Sequence, residues 1–335
     1  MKLLKKIGIG LAILLILLVV AIFVVPQEVH VEVTEKLDAE PQTVFNIIND
    51  LTMEQYWNPW QQEDTTMQLT YGDVTSGVGA NYSWSSENMG AGSAEYTTVE
   101  KNSKIVSALN FGSMGAGDAT YTLTPVQGGG TTVKWQLDSW TKRPFNLMNL
   151  IIKSSTKKSY KKGLASLEQL AVQRQREGVY RGYQIREEIM PGRTYVINRD
   201  EVTLDRVATF YAQNLAPLFK KIQEAGVEMS GSPSGLFYNY NMAKGTTDMA
   251  AGIPLSQDVT IQGASTESFD TKKAVVVDYY GDFKDTAPAH RAIEEYLADR
   301  DLHYDWPVIE EYVTDPSEES NPDKWLTRII YYLSE

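Results

Sequence analysis

Two adjacent carboxylates, Glu310 and Glu311, occupy the centre of the stretch WPVIEEYVTDP, whose alternating pattern reads as a β-strand. Successive strand side chains point to opposite faces, so the two acids diverge, and Tyr312 shares the face of Glu310. If one acid is solvated, the other points at something less polar. A carboxylate drawn into apolar, aromatic surroundings is desolvated, which disfavours its ionised form, and a cationic ligand relieves that cost. Aromatic faces around the cation add about 0.5–2 kcal/mol each. The same carboxylate could act as general acid or base with a Tyr assisting. The bland alternative is a Glu that is solvated or paired with a base, for which Arg328 is a candidate.

Other chemistries find less support. With no cysteine there is no disulfide framework, thiolate nucleophile or cysteine metal site. The three histidines, His30, His290 and His303, form no ligand pair, so neither a metal site nor a cofactor is expected. GAGSAEY and GSMGAGDATY are Gly-rich but lack the strand–turn–helix setting of a phosphate loop, and no G-x-S-x-G elbow appears. Lys153, Lys157, Lys158, Lys161 and Lys162 form one basic stripe along a helix. It reads as a solvated face, or as a contact for anionic headgroups worth about 1 kcal/mol per residue.

The elements that must position these residues begin with an apolar run. Ile7–Val25 is uncharged, long enough to span a bilayer core, and ended by Pro26. Lys2, Lys5 and Lys6 precede it, and no A-x-A-like cleavage site follows, which favours an uncleaved anchor over a signal peptide. The positive-inside rule then gives a cytoplasmic tail (1–6), a transmembrane helix (7–25) and an extracytoplasmic body, periplasmic in a Gram-negative cell. The chain of 335 residues is long enough for about two domains, and its 42% hydrophobic content suits a folded protein. The net charge is −12, and from Asp258 onward 18 Asp and Glu face 7 Lys and Arg. That last quarter of the chain repels phosphate backbones, so nucleic acid is not an expected partner.

From Val29 to Val172 the pattern is strand-rich, with a short helix at the front and a long one, Pro144 to Val172, at the end. An antiparallel sheet curved around such a helix leaves a cavity. Trp57, Trp60, Tyr82, Trp84 and Trp135 would line it for an apolar ligand, ordinary core packing being their alternative role. The stretches LDAEPQTVFNIINDLTMEQYWNPW, GVGANYSWSSENMGAG, TTVKW and GLASLEQLA resemble the START-like (polyketide cyclase/dehydrase, SRPBCC) family over residues 28–172. The resemblance implies a helix-grip fold with a deep apolar cavity; the family includes lipid carriers, hormone receptors and cyclases, so it does not settle function.

After a polar linker, 173–182, a weak internal repeat reads strand, helix, turn, strand twice over. Each half would cover one sheet face with its helix and leave the other free, so that two halves make a sheet-lined groove. GSPSGLFYNY, AAGIPL, VVVDYYGDF and WPVIEEYVTDPSEESNPDKWLTRIIYYL resemble the GyrI-like, or AraC-type effector-binding, family over 183–335. In that resemblance the E-x-Y glutamate corresponds to Glu310 and faces cationic aromatic ligands, with Tyr312 beside it. Tyr238 and Tyr240, taken as in register, and Tyr279 are candidate walls; Trp306 closes one end; Glu311 falls to surface or structure.

The expected architecture is therefore α+β: an anchor helix, a helix-grip domain and a tandem-repeat effector-binding domain. The expected function is a membrane-anchored small-molecule binding protein, whether sensor, scavenger or carrier, for amphipathic, cationic aromatic compounds. Some members of the second family are hydrolases using the same Glu and a nearby Tyr, which makes Glu310 and Tyr312 the catalytic alternative. A protein or lipid interaction module is the third reading.

Overall fold

The computed structural model describes residues 2–241 and 243–334; the side chains of Lys2 and Lys5 lie outside the described residues. The chain divides into two compact units, Met1–Arg176 and Glu177–Glu335. The fold is mixed α+β with two antiparallel sheets.

In the first unit, α1 (Lys2–Val24) leaves its apolar side chains exposed from Ile7 to Val20. It is long and apolar enough to cross a membrane. The sheet comprises β1 (Glu28–Leu37), β2 (Gln68–Tyr71), β3 (Asn81–Ser86), β4 (Gly90–Glu100), β5 (Lys104–Asn110), β6 (Gly115–Pro125) and β7 (Thr131–Thr141), in the order β1-β7-β6-β5-β4-β3-β2. Its period-2 pattern buries one face: Val29, Val31 and Val33 on β1, and Val133, Trp135 and Leu137 on β7. Between β1 and β2 lie α2 (Pro41–Asn49), α3 (Glu54–Trp57) and α4 (Pro59–Glu63). Pro41 and Pro59 open their helices, where a missing N–H costs nothing, and the Asn58 side chain caps α4 by accepting from the Trp60 amide.

The closing helix does not run unbroken from Pro144. A 3₁₀ turn, Phe145–Met148, precedes α5 (Asn149–Val172). Thr156, Tyr160, Gly163, Leu164, Leu167 and Ala171 form the buried stripe of α5 at helical spacing. Gly163 is required there, since a Cβ would meet the Trp135 ring at 2.8 Å and Pro59 at 2.9 Å.

The stretch read as a linker, 173–182, is divided between the units, and Tyr180 is fully buried in the second. That unit is a nine-stranded sheet: β8 (Val179–Tyr180), β9 (Tyr183–Met190), β10 (Arg193–Thr203), β11 (Ser234–Asn241), β12 (Thr246–Leu255), β13 (Ser265–Phe269), β14 (Lys272–Tyr280), β15 (Tyr304–Tyr312) and β16 (Leu326–Leu333). The order is β13-β10-β12-β11-β15-β16-β14-β9-β8. Each half runs strand, helix, strand, strand, with α6 (Val207–Ala225) after β10 and α7 (Ala287–Arg300) after β14. The halves meet where β11 pairs with β15.

One expectation is corrected here. The face away from the helices is not a free, open groove. The sheet curls until Phe269 on β13 stacks on Tyr332 on β16, with ring centroids 5.9 Å apart. Tyr195, Leu236, Ile309 and Ile330 fill the space within.

Candidate functional site

The first unit holds an apolar cavity of about 300 Å³ between the concave sheet face and α5. Trp60, Tyr82, Trp84 and Trp135 are in its wall. Trp57, expected there too, instead packs behind the wall, fully buried and edge-on to Trp135 and Tyr121. Trp135 is held flat against Tyr160 of α5, centroids 3.9 Å apart and planes 12° apart. Its indole Nε1 is buried and has no hydrogen-bond partner among the described residues.

A carboxylate that the sequence reading passed over also faces this cavity. Glu54 opens α3 and is only 4% exposed. Its Oε2 accepts from Asn58 Nδ2, Gln61 Nε2 and the Tyr82 hydroxyl, each at 2.9 Å. Burial pushes its pKa from 4.5 up to about 7, although the bonds from Tyr82 and Asn58 oppose the rise. The phenols of Tyr82, Tyr96 and Tyr121 are driven well above their ordinary value by burial first, then by the Glu54 charge. One signal was available in the sequence: Leu51, Glu54 and Trp57 share a helical spacing of three, and both outer members are buried. An acid there occupies a core position.

In the second unit Glu310 points to the helix-bearing face and is 5% exposed. Its Oε1 lies 2.7 Å from His290 Nε2 and 3.4 Å from the Thr286 hydroxyl, while Tyr312 donates to Oε2 at 2.9 Å. Since a carboxylate only accepts, Nε2 carries the imidazole proton. His290 Nδ1 then meets the Tyr331 hydroxyl at 2.9 Å, and the Tyr211 hydroxyl of α6 lies 3.4 Å from that of Tyr312. Burial, then the Glu310 charge, pushes the Tyr312 phenol well above its ordinary value. Gly235 of β11, opposite Glu310, keeps this space open: a Cβ would stand 1.7 Å from the Tyr211 hydroxyl.

The other expected residues divide. Tyr240 stacks on Phe237 at 5.4 Å and approaches Trp306 at 6.2 Å, forming an exposed aromatic edge on the Glu310 face. Tyr238 turns away. A β-bulge between Phe237 and Asn239 breaks the assumed register with Tyr240, and Tyr238 bonds Glu267 beneath Arg199 on the inner face. Tyr279 is on the helix-bearing face, but its hydroxyl donates to the Asp282 carbonyl at 3.2 Å. Glu311 is not a surface residue: it is 5% exposed on the inner face, 3.1 Å from Arg193 and 4.0 Å from Arg328. Arg328 therefore serves Glu311 and Asp278 rather than Glu310.

His290 was visible in the sequence without a role. Thr286 and His290 stand four residues apart, so they meet one neighbour across one helical turn, but nothing local says that this neighbour is β15.

A family model described as polyketide cyclase / dehydrase and lipid transport matches residues 28–172. Those residues form a polyketide cyclase/dehydrase-like (SRPBCC-like) domain. Around this SRPBCC-like domain the likenesses are thinner. The C-terminal domain of EcmrR aligns at 14% identity and TM-score 0.42, over 46% of this chain and 98% of that one. EcmrR in a DNA complex aligns at 12% and 0.43, over 58% and 73%. The Zhui aromatase/cyclase from Streptomyces sp. R1128 aligns at 11% and 0.38, over 45% and 98%. No curated protein matches the sequence. Among the described residues no group of His, Asp and Glu is arranged to hold a metal.

Proposed function

We propose that the chain is a membrane-anchored small-molecule binding protein, a sensor, scavenger or carrier, with its principal site in the SRPBCC-like cavity. The observation that carries this reading is the cavity itself: about 300 Å³ of mainly apolar space whose wall includes a few polar groups, Glu54 and Gln61 among them. This is the composition of a ligand site, at the small end of the usual range. Trp135 Nε1 offers a donor, and Glu54 offers either a proton or a charge near neutral pH. An amphipathic ligand with one polar end fits. The anchor is read from α1, and the extracytoplasmic placing of the body from the lysines before it.

The GyrI-like reading of the second unit adds a further recognition site, in which Glu310 meets a cationic aromatic compound bordered by Tyr312, Tyr240 and Trp306. In its resting arrangement His290 and Tyr312 occupy the carboxylate, so a cation binds by displacing one of them. The same contact favours a second function. A Tyr331–His290–Glu310 relay can hold and pass a proton, which suits a hydrolase of small electrophiles.

Thermal unfolding of the full chain in lipid nanodiscs, against neutral and cationic aromatic amphiphiles, separates these readings. A ligand at one hundred times its dissociation constant adds about 2.7 kcal/mol. A shift lost in Ala119→Phe, which fills the cavity, and kept in Glu310→Gln puts binding in the first unit. The converse puts it at Glu310, and product appearing only with Glu310 intact makes the second unit an enzyme. No shift with any compound rejects the binding function.

A further inference from the structure

In the wall of the SRPBCC-like cavity the exposed side chains are Met89, Trp140, Phe145 and Met148, which make its rim. Those four side chains are apolar, and the segment that carries Phe145 and Met148 is hydrogen-bonded to the end of α1. Asn146 Nδ2 donates to the carbonyls of Ile22 at 2.7 Å and Val25 at 2.8 Å. Asn149 Nδ2 donates to that of Pro26 at 2.9 Å, and Arg143 Nε to Ile22 at 3.1 Å. These donors satisfy carbonyls that a helix end leaves without partners, and the arginine suits the negative pole of the helix. The cavity rim is therefore fixed beside the point where the apolar helix stops.

Two further side chains have no role within the fold. Leu150 and Ile151, in the first turn of α5, are 70% and 72% exposed and lie outside the cavity wall. Along α5 the exposed Lys153 and Lys157 follow within two turns, about 3 Å and about 9 Å beyond Ile151. Lys142 and Arg143 are exposed at the other side of the rim. An apolar tip with a basic collar is the profile of a surface seated at the boundary between acyl chains and headgroups.

We propose that this face of the SRPBCC-like domain, the cavity rim with Leu150 and Ile151, docks onto the lipid bilayer that holds α1, so that the cavity opens into the membrane and takes up an amphiphile dissolved there. The inference rests on the cavity being a binding site and adds the source of its ligand. A bilayer is the fitting occupant because the patch is continuous with the membrane-crossing helix and ringed by cations. The basic stripe, which the sequence leaves between solvent and headgroups, then has a position: Lys153 and Lys157 at headgroup depth, with Lys162 turned to Glu63.

The test uses the full chain in nanodiscs of phosphatidylcholine and phosphatidylglycerol, with two readouts. Lipids brominated on the acyl chain should quench tryptophan emission, and Trp140→Phe should remove the lipid-dependent part. A pyrene-labelled fatty acid dissolved in the disc should then accept energy from the cavity tryptophans. Leu150→Asp with Ile151→Asp should lower both signals about tenfold or more, since each side chain withdrawn from the acyl region is worth at least that factor. Aspartate suits the first turn of a helix, so this variant keeps its fold. Its affinity for water-soluble cavity ligands should equal that of wild type. Quenching independent of Trp140, or pyrene uptake equal in wild type and the double variant, overturns the proposal. Trp140-dependent quenching with no uptake of any compound from disc or water upholds the docking face and instead removes the binding function on which the loading route rests.

Discussion

Replacing Glu54 by Gln should raise stability at high pH and leave it unchanged at low pH. The carboxyl sits in the folded chain with a pKa of about 7 against an ordinary 4.5. Between those values the folded state holds a proton that the unfolded state has released. The proton's contribution is complete below pH 4.5 and is lost as the pH rises through 7, so stability falls across that window. The displacement corresponds to roughly 3 kcal/mol. Glu54 is only 4% exposed, so solvent screening takes little from this figure. A Gln carboxamide oxygen can accept from Asn58, Gln61 and Tyr82 as Oε2 does, and it has no charge to desolvate. Wild type and Glu54→Gln should therefore unfold together at pH 4.5, and at pH 8 the variant should be more stable by about 3 kcal/mol. In urea this is a midpoint shift of about 1–2 M for the first unit. Trp57, Trp60, Trp84, Trp135 and Trp140 report that transition by fluorescence. Parallel pH profiles for the two proteins would refute the assignment of Glu54 as a buried acid.

Further outcomes follow from the packing. Gly163→Ala gains about 1 kcal/mol of helix propensity but forces a methyl against Trp135 and Pro59, so calorimetry should show a net loss of about 1 kcal/mol. Gly235→Ala should cost about 2 kcal/mol by expelling Tyr211, and Tyr211→Ala in the same chain should recover most of it. Arg193→Met leaves Glu311 buried with Arg328 at 4.0 Å, and denaturation of the second unit should shift by about 3 kcal/mol.

Much of this was legible in the sequence, because burial patterns are local. The alternation of Val29, Val31 and Val33 and the stripe of α5 follow from side-chain period alone. The repeat was legible as strand, helix, turn, strand, and the structure adds one further strand to each half. Glu310 stood out because two acids in one strand must part company. What escaped was set by distant chain segments. The curl of the second sheet, which buries Glu311 beside Arg193, brings together residues 118 positions apart. The bulge that separates Tyr238 from Tyr240 leaves no mark in the alternation it interrupts. His290 joins Glu310 only because α7 crosses β15 at one particular height. Glu54 lay within reach of pattern reading, as a charge at a core position, but its partner Tyr82 is 28 residues away.

The central claim is that the SRPBCC-like cavity holds a small molecule. Native mass spectrometry of the full chain released from nanodiscs tests it most directly, with wild type and Ala119→Phe prepared side by side. Ala119 lines the cavity and is 4% exposed, so the larger side chain takes the ligand's volume. The account predicts an amphiphile of defined mass on the wild type and none on the variant, with both proteins folded by near-ultraviolet circular dichroism. Equal occupancy of the two proteins, or none on the wild type after exposure to neutral and cationic amphiphiles, would contradict it.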